Sequence, residues 1–373
     1  MTENAVRDFN AVKFAKPEPQ SFSRVLTQRI NAYFDSRNLS KKANTRMVAK
    51  SIFMLTLYLT PYLVMLLSGA GPLGVLIAYF VMGLGMSGVG MGMMHDAVHG
   101  AYHQRPEVNK WLGSVMYLIC GNVTTWRVQH NVLHHTYTNI KGMDDDLETK
   151  GLIRLHPEQA WKKMHRYQKW YSPLVYSLLT LNWALTKDLG QLKNYYNMGL
   201  VSTSKKEYRK KWQVLVGTKL LYFALFMVLP LIFTSAAWYW VVLGFVIMHL
   251  TAGFILSFVF QLAHVVGDTA HFSYPENGKM QDAWMEHQLR TTADFCRGNM
   301  LVDWFVGGLN YQIEHHLFPR ICHVHYPELS KIVKKTATEF NLPYNEFTTL
   351  SEAINAHLGY LDFMGKKPAM AMS

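Results

Sequence analysis

Eight of the seventeen histidines in this sequence fall at spacings that could gather imidazoles around metal ions. His95-Asp-Ala-Val-His99 ends a long apolar run, and His130-Asn-Val-Leu-His134-His135 lies in a polar central stretch. Gln312-Ile-Glu-His315-His316 lies toward the C-terminal end, and His264 closes another long apolar run. On an α-helix, residues four apart sit one turn up the same face. The spacing therefore predicts that His95 and His99 point at one locus and that His130 and His134 do likewise. The adjacent His135 is turned aside by about 100°, toward a second ion. Gln312 shares a face with His315 and His316, as a direct or water-mediated ligand. Eight imidazoles exceed the needs of one ion and suit two, with positions left open for oxygen.

Imidazole suits zinc, copper, iron and nickel alike, so the spacing alone leaves the metal open. Ligating histidines need partners for their second nitrogen, and Asp96, Glu314 and His323 are placed to supply them. Asp144 and Asp146 are further candidates, although a solvated turn is the plainer reading of that acidic run. His103, His156, His165, His271, His287 and His357 have no such company and read as structural, and His325 as second shell or fold. His249 falls near the middle of an apolar run, where an ionisable group marks a functional site by default. It lies about 22 Å along a helix from His264, too far to share a metal. A hydrogen bond to a neighbouring helix is its first reading, and lining of a substrate channel its second.

The elements that must position these residues are membrane spans. Half of the 373 residues are hydrophobic and 17% are charged, against about 25% in soluble domains. No Lys or Arg occurs from Ser51 to Met94, nor from Leu220 to Gly278. Four spans follow, at about 51–70, 72–94, 213–234 and 236–264. The last is 29 residues from Ala236 to His264, or about 43 Å, and so projects beyond a bilayer core of about 30 Å. Lys219 sits inside the third span, where it could snorkel to the interface. The fold class predicted is an all-α integral membrane protein, its four transmembrane helices carrying a helical cytosolic cap that holds a di-metal site.

Domain organisation follows the same pattern. Residues 1–50 form a cytosolic segment, 51–345 the catalytic unit and 346–373 a cytosolic tail. Residues 1–20 read as a flexible lead-in. Phe22, Val25, Leu26, Ile30, Tyr33 and Phe34 then recur at helical spacing, which predicts an amphipathic helix on the membrane surface or packed on the cap. A helix is expected from Pro327 to about Phe340, and Thr349-Leu-Ser-Glu352 is a capping box that opens another. The net charge of +12 lies in residues 1–50, 95–212 and 265–373 with Lys219 apart, and the short links near 68–71 and 235–237 carry none. That asymmetry places both termini and the active site in the cytosol and excludes nucleic acid as a partner. Membrane lipid is the partner it favours. The three cysteines, Cys120, Cys296 and Cys322, form no metal or disulfide spacing and read as reduced thiols. Gly83-Leu-Gly85-Met-Ser-Gly88 mimics a dinucleotide fingerprint, but it follows no strand. Gly88 and Gly92 instead suit close helix packing.

The three histidine motifs, in order, spacing and topology, resemble the three histidine boxes of the membrane fatty acid desaturases. Gln129–Asn139 (QHNVLHHTYTN) and Asn310–Pro319 (NYQIEHHLFP) resemble the acyl-lipid and front-end, linoleoyl-CoA-type members in particular. The resemblance spans roughly residues 45–345. It implies two non-haem irons on His95, His99, His130, His134, His135, His315 and His316, completed by His264 at the cytosolic end of the fourth span. Glutamine at the head of the third box, here Gln312, resembles the front-end subgroup. Many eukaryotic members carry a fused cytochrome b5 domain with an HPGG motif, whereas His156-Pro157 is followed here by Glu158. The expected electron donor is a separate protein, a ferredoxin or a cytochrome b5 with its reductase, and the expected setting a bacterial inner membrane.

The implied reaction inserts a cis double bond into a fatty acyl chain with O2 as co-substrate. Whether the acyl group is carried by coenzyme A, a carrier protein or a lipid is left open. Removing hydrogen from an unactivated methylene needs a redox metal, which zinc is not. Two rivals remain at this stage. A hydroxylase would use the same fold and metals to insert oxygen. A metal transporter would hold its site near the bilayer midplane, where only His249 falls.

Overall fold

The computed structural model describes residues 12–367, and the chain within them is mostly helical. After a short strand β1 (Lys13–Ala15) and helix α1 (Phe22–Ser36) comes α2 (Thr45–Leu67), then α3 (Pro72–Val98). A central stretch carries α4 over residues 123–137, followed by α5 (Lys205–Phe233) and α6 (Trp238–His264). Among the described residues, α2, α3, α5 and α6 are the helices long and apolar enough to cross a membrane. This is a membrane protein.

The span ends follow local chemistry. Helix α2 starts at Thr45, earlier than the apolar run, because the Asn44 side chain accepts the Met47 N–H and caps it. Pro72 occupies the first turn of α3, where its missing N–H costs nothing. Helix α6 has 27 residues, about 40 Å, which carries His264 about 10 Å past a bilayer core. Helix α3 runs through a π-helical turn at Gly90–Met94 to the first histidine motif.

Helix α3 packs between α2 and α6, and its small residues permit it. A Cβ on Gly85 would lie 2.5 Å from the Tyr58 nitrogen of α2, and one on Gly83 would lie 2.8 Å from the Met248 carbonyl of α6. The fingerprint-like glycines are thus helix contacts. Gly88 meets Met54 in the same way, whereas a Cβ on Gly92 would find only ordinary contact. Helix α5 contains a π turn at Ala224–Val228, which frees carbonyls that no water could satisfy within lipid. Tyrosines from neighbouring spans take them. Tyr62 donates to the Leu225 carbonyl at 2.7 Å and Tyr79 to that of Phe226 at 2.6 Å.

Of two polar groups in the spans, Lys219 departs from its sequence reading and His249 takes the first of its two. Lys219 does not snorkel: it turns inward, 2.6 Å from Asp188, and also donates to the Cys120 carbonyl. A long polar side chain inside a bundle finds a charge there more directly than at the interface. His249 has both ring nitrogens engaged, with the Thr180 hydroxyl at 3.0 Å and the Tyr222 hydroxyl at 3.1 Å. It is an interhelical tie with no nitrogen left over for a channel.

The C-terminal part of the cap is built from β2 (Lys279–Ala283), α7 (Trp284–Thr291), β3 (Ala293–Phe295), α8 (Met300–Phe305), α9 (Gln312–Leu317), α10 (Tyr326–Glu339), β4 (Asn345–Phe347) and α11 (Leu350–Gly365). Strand β1 pairs in parallel with β2, and β3 with β4. Of the expected flexible lead-in, residues 1–11 lie outside the described residues, and Lys13–Ala15 is a paired strand. Phe22, Leu26, Ile30 and Phe34 of α1 are buried against Leu329, Val333 and Ala337 of α10. Helix α1 therefore gives its apolar face to the cap rather than to a lipid surface. Helix α11, opened by the Thr349–Glu352 capping box, is no loose tail. His357 on it bonds the Val265 carbonyl at 2.7 Å, and the Leu361 carbonyl accepts from Gln168. The three cysteines are buried free thiols.

Candidate metal centre

The histidine motifs converge where α3, α4, α6 and α9 meet, and all eight imidazoles are buried. They fall into two groups. His95, His99, His130 and His315 place ligand atoms within 4.8 Å of one another, and so do His134, His264 and His316. His135 stands between the groups, with its Nε2 3.2 Å from that of His130 and its ring stacked 4.3 Å from that of His316.

His130 and His134 do share one locus with Asp146, their ligand atoms within 4.8 Å of one another, as the spacing predicts, but each also belongs to a different histidine group. Residues Arg127–His134 of α4 form a π-helix, in which hydrogen bonds run to the fifth residue and five-apart residues come into line. His130 consequently faces His135, and His134 is swung toward His264 and His316. His130 and His134 remain neighbours, with ring centroids 5.4 Å apart, but their partners differ.

In the three-histidine group the outer nitrogens are all spoken for by acceptors. Nδ1 of His134 faces the Asp144 carboxylate at 3.1 Å, Nδ1 of His264 the Thr291 carbonyl at 3.2 Å, and Nδ1 of His316 the Gln288 side-chain oxygen at 2.8 Å. An acceptor fixes the imidazole proton on Nδ1 and leaves the Nε2 lone pair bare. Those lone pairs face each other: Nε2 of His134 and His316 are 3.2 Å apart, and Nε2 of His264 is buried with no partner. A cation among the three would satisfy these nitrogens together.

The four-histidine group is held less tightly. Nδ1 of His95 faces Asp96 at 3.7 Å, and Nδ1 of His315 lies 3.3 Å from the Tyr326 hydroxyl, which can donate or accept. Nε2 of His95 and His130 are 3.2 Å apart, while Nε2 of His99 and His315 are buried and unpartnered. The rings of Trp126 and Phe260 wall the site, lying 4.4 Å from His130 and 4.8 Å from His134.

Burial, which penalises the charged form, holds His99, His130, His135, His315 and His316 well below the ordinary imidazole range. These are neutral donors at physiological pH, the state a metal requires. Burial would lower His134 too, but the Asp144 carboxylate outweighs it and the group is raised. Asp144 is itself lowered, its desolvation outweighed by His134 and by the N–H groups of Asn139 and Asp146.

The supporting residues differ from their sequence reading in both directions. Asp144 is not a solvated turn residue but the buried partner of His134. Asp146 also approaches His134, at 3.6 Å, and accepts from Gln129. Glu314 does not hold an imidazole; its neighbours are Tyr344, at 3.0 Å, and Asp294, and burial beside that second carboxyl raises it well above the carboxylate range. Alternate residues of a helix diverge, so Glu314 turns away as His315 and His316 turn in. Asp96 and His323 contact each other at 2.9 Å beside His95. Oε1 of Gln312 is buried without a partner. Sequence reasoning missed Gln288, Thr138 and Lys50, none of which belongs to a histidine motif. Gln288 alone contacts His316 and donates to the His135 carbonyl.

Comparison with known proteins agrees with this geometry. The profile of the family described as "Fatty acid desaturase" matches residues 70–348. The chain is 33% identical to an sn-1 linoleoyl-lipid 6-desaturase of Arthrospira platensis, over 93% of both chains. It is 33% identical to the same-named protein of a Synechocystis strain, over 95% of this chain and 98% of the relative. An acyl-lipid (8-3)-desaturase of Physcomitrium patens is also 33% identical, over 95% of this chain and 74% of the relative. The chain belongs to the fatty acid desaturase family.

Proposed function

We propose that this desaturase holds one iron on His95, His99, His130 and His315 and a second on His134, His264 and His316, with His135 between them. The observation that carries the reading is the pair of buried groups whose ligand nitrogens lie within 4.8 Å of one another, with Nε2 of His99, His264 and His315 unpartnered. Gln312, whose buried side-chain oxygen has no partner, would serve as a further ligand directly or through water. The chemistry such a pair of irons supplies is the reduction of O2 to water coupled to loss of two neighbouring hydrogens from an acyl chain. The protein's own part is placement. Asp144, Gln288 and the Thr291 carbonyl fix the imidazoles, and buried rings keep water from the site. A positioned chain then presents one methylene pair, which makes the outcome regiospecific.

The substrate class is a glycerolipid-linked polyunsaturated acyl chain, and the new cis bond enters between an existing bond and the carboxyl end. The basic segments at residues 1–50, 95–212 and 265–373 support cytosolic termini and a cytosolic site, in a bacterial inner membrane. Electrons come from a separate carrier, a ferredoxin or a cytochrome b5 with its reductase. Expression in a host fed a panel of fatty acids, with products resolved by gas chromatography and mass spectrometry, tests the reading. A fed linoleoyl chain should lose two hydrogens on the carboxyl side of its first double bond. A product heavier by one oxygen atom would assign the chain to hydroxylation instead.

A further inference from the structure

A second polar chain runs into the four-histidine group from the membrane. Lys50 lies on α2 within a span and is buried, 5% exposed. Its Nζ is 3.1 Å from Nε2 of His323. Nδ1 of His323 is 2.9 Å from Oδ2 of Asp96, and the His323 main-chain N–H meets the same oxygen at 3.2 Å. The other carboxylate oxygen, Oδ1, faces Nδ1 of His95 at 3.7 Å, and that nitrogen has no hydrogen-bond partner. The four residues come from α2, α3 and the segment after α9.

Donor chemistry sets the direction of this chain. An ammonium has three donors and no acceptor, so Nε2 of His323 must accept from Lys50, and the imidazole proton sits on Nδ1. From there it is donated to Asp96. The carboxylate, anchored twice by His323, holds its remaining oxygen 3.7 Å from Nδ1 of His95, a charge contact that favours the proton on that nitrogen and the Nε2 lone pair toward the metal locus. The ammonium and the carboxylate also compensate one another across a neutral ring, which burial of either alone would not permit. Asp96, Cys322 and His323 by themselves have the spacing of a metal site. The Lys50 ammonium beside His323 argues against a cation there.

We propose that Lys50 is a positioning residue for the metal centre, acting through His323 and Asp96 to bias the tautomer and orientation of His95. The inference rests on the two-iron reading of the histidine groups. Lys219, a partly buried lysine in another span, provides the control. It pairs with Asp188 and does not touch the chain that leads to His95.

The test is a Co2+ titration of the purified, metal-free protein in detergent, followed by the ligand-field bands of the bound ion. Wild type should bind two ions per chain; fewer would undermine the two-metal reading itself. Lys50→Met should weaken one binding step about 3–10-fold, below the range for loss of a directly bonded supporting partner, and leave the other step unchanged. Lys50→Arg, which keeps a donor-only cation, should restore most of that loss. Lys219→Met should leave both steps unchanged. Two unaltered steps in Lys50→Met would overturn the proposal, as would an equal loss in Lys219→Met, because either marks Lys50 as structural. If Lys50→Met does not fold, His323→Leu is read the same way, and unaltered binding in that variant overturns the proposal equally.

Discussion

The two histidine groups of this protein are assembled from the same motifs but held by different means. Around His134, His264 and His316, the outer nitrogens meet a carboxylate, a main-chain carbonyl and an amide oxygen, all within 3.2 Å. Around His95, His99, His130 and His315, the contacts are a carboxylate at 3.7 Å and a tyrosine hydroxyl at 3.3 Å. Acceptor-only partners leave a ligand one tautomer and one orientation, whereas a hydroxyl or a distant carboxylate leaves both freer. The three-histidine group is therefore preorganised by its neighbours, and the four-histidine group gains from having an additional imidazole.

That contrast can be broken most forcefully at the ligands. Alanine at His315 and alanine at His316 should each abolish product while the protein still inserts, and each should remove one ion per chain in a metal assay. Loss of both ions from either variant would show that the groups are not separate. Next in size, Asp144→Asn should weaken the three-histidine site about 10–100-fold in a Co2+ titration. Asp96→Asn should cost the other site less, because its contact with His95 is longer. A larger loss from Asp96→Asn would reverse the comparison.

Smaller effects sharpen it. His249→Phe leaves the Tyr222 and Thr180 hydroxyls without their ring partner in the bundle. It should lower stability by about 1–3 kcal/mol in thermal unfolding and leave the double-bond position unchanged in the product profile. A shifted position would return His249 to the substrate path. Glu314→Gln should be the mildest, with metal binding within about twofold of wild type, since its carboxyl turns toward Tyr344 and Asp294. A clear loss of metal would mean that the third motif is rearranged when loaded.

Much of this was legible because membrane spans and metal ligands both obey short-range rules. Uncharged runs bounded by Lys and Arg located the four spans, and the length of α6 placed His264 beside motifs more than a hundred residues distant. The boundaries shifted where side chains cap a helix, as Asn44 does for α2. The assignment of His130 and His134 to different partners was not legible, because a π-helical turn leaves no mark in the spacing. Nor were the supporting residues. Asp144 looks like part of an acidic loop until Asn139 and His134 close around it, and Lys50 looks like a basic flank until α3 brings Asp96 to His323. Glu314 directly precedes two histidines of the site in sequence and still faces away, since neighbours on a helix point in different directions.

The most direct test of the central claim is iron counting combined with Mössbauer spectroscopy on active, purified protein. The account predicts two high-spin irons per chain in wild type, falling to one in His264→Ala while the remaining signal is retained. A fully active enzyme with a single iron, or with zinc in place of iron, would contradict it.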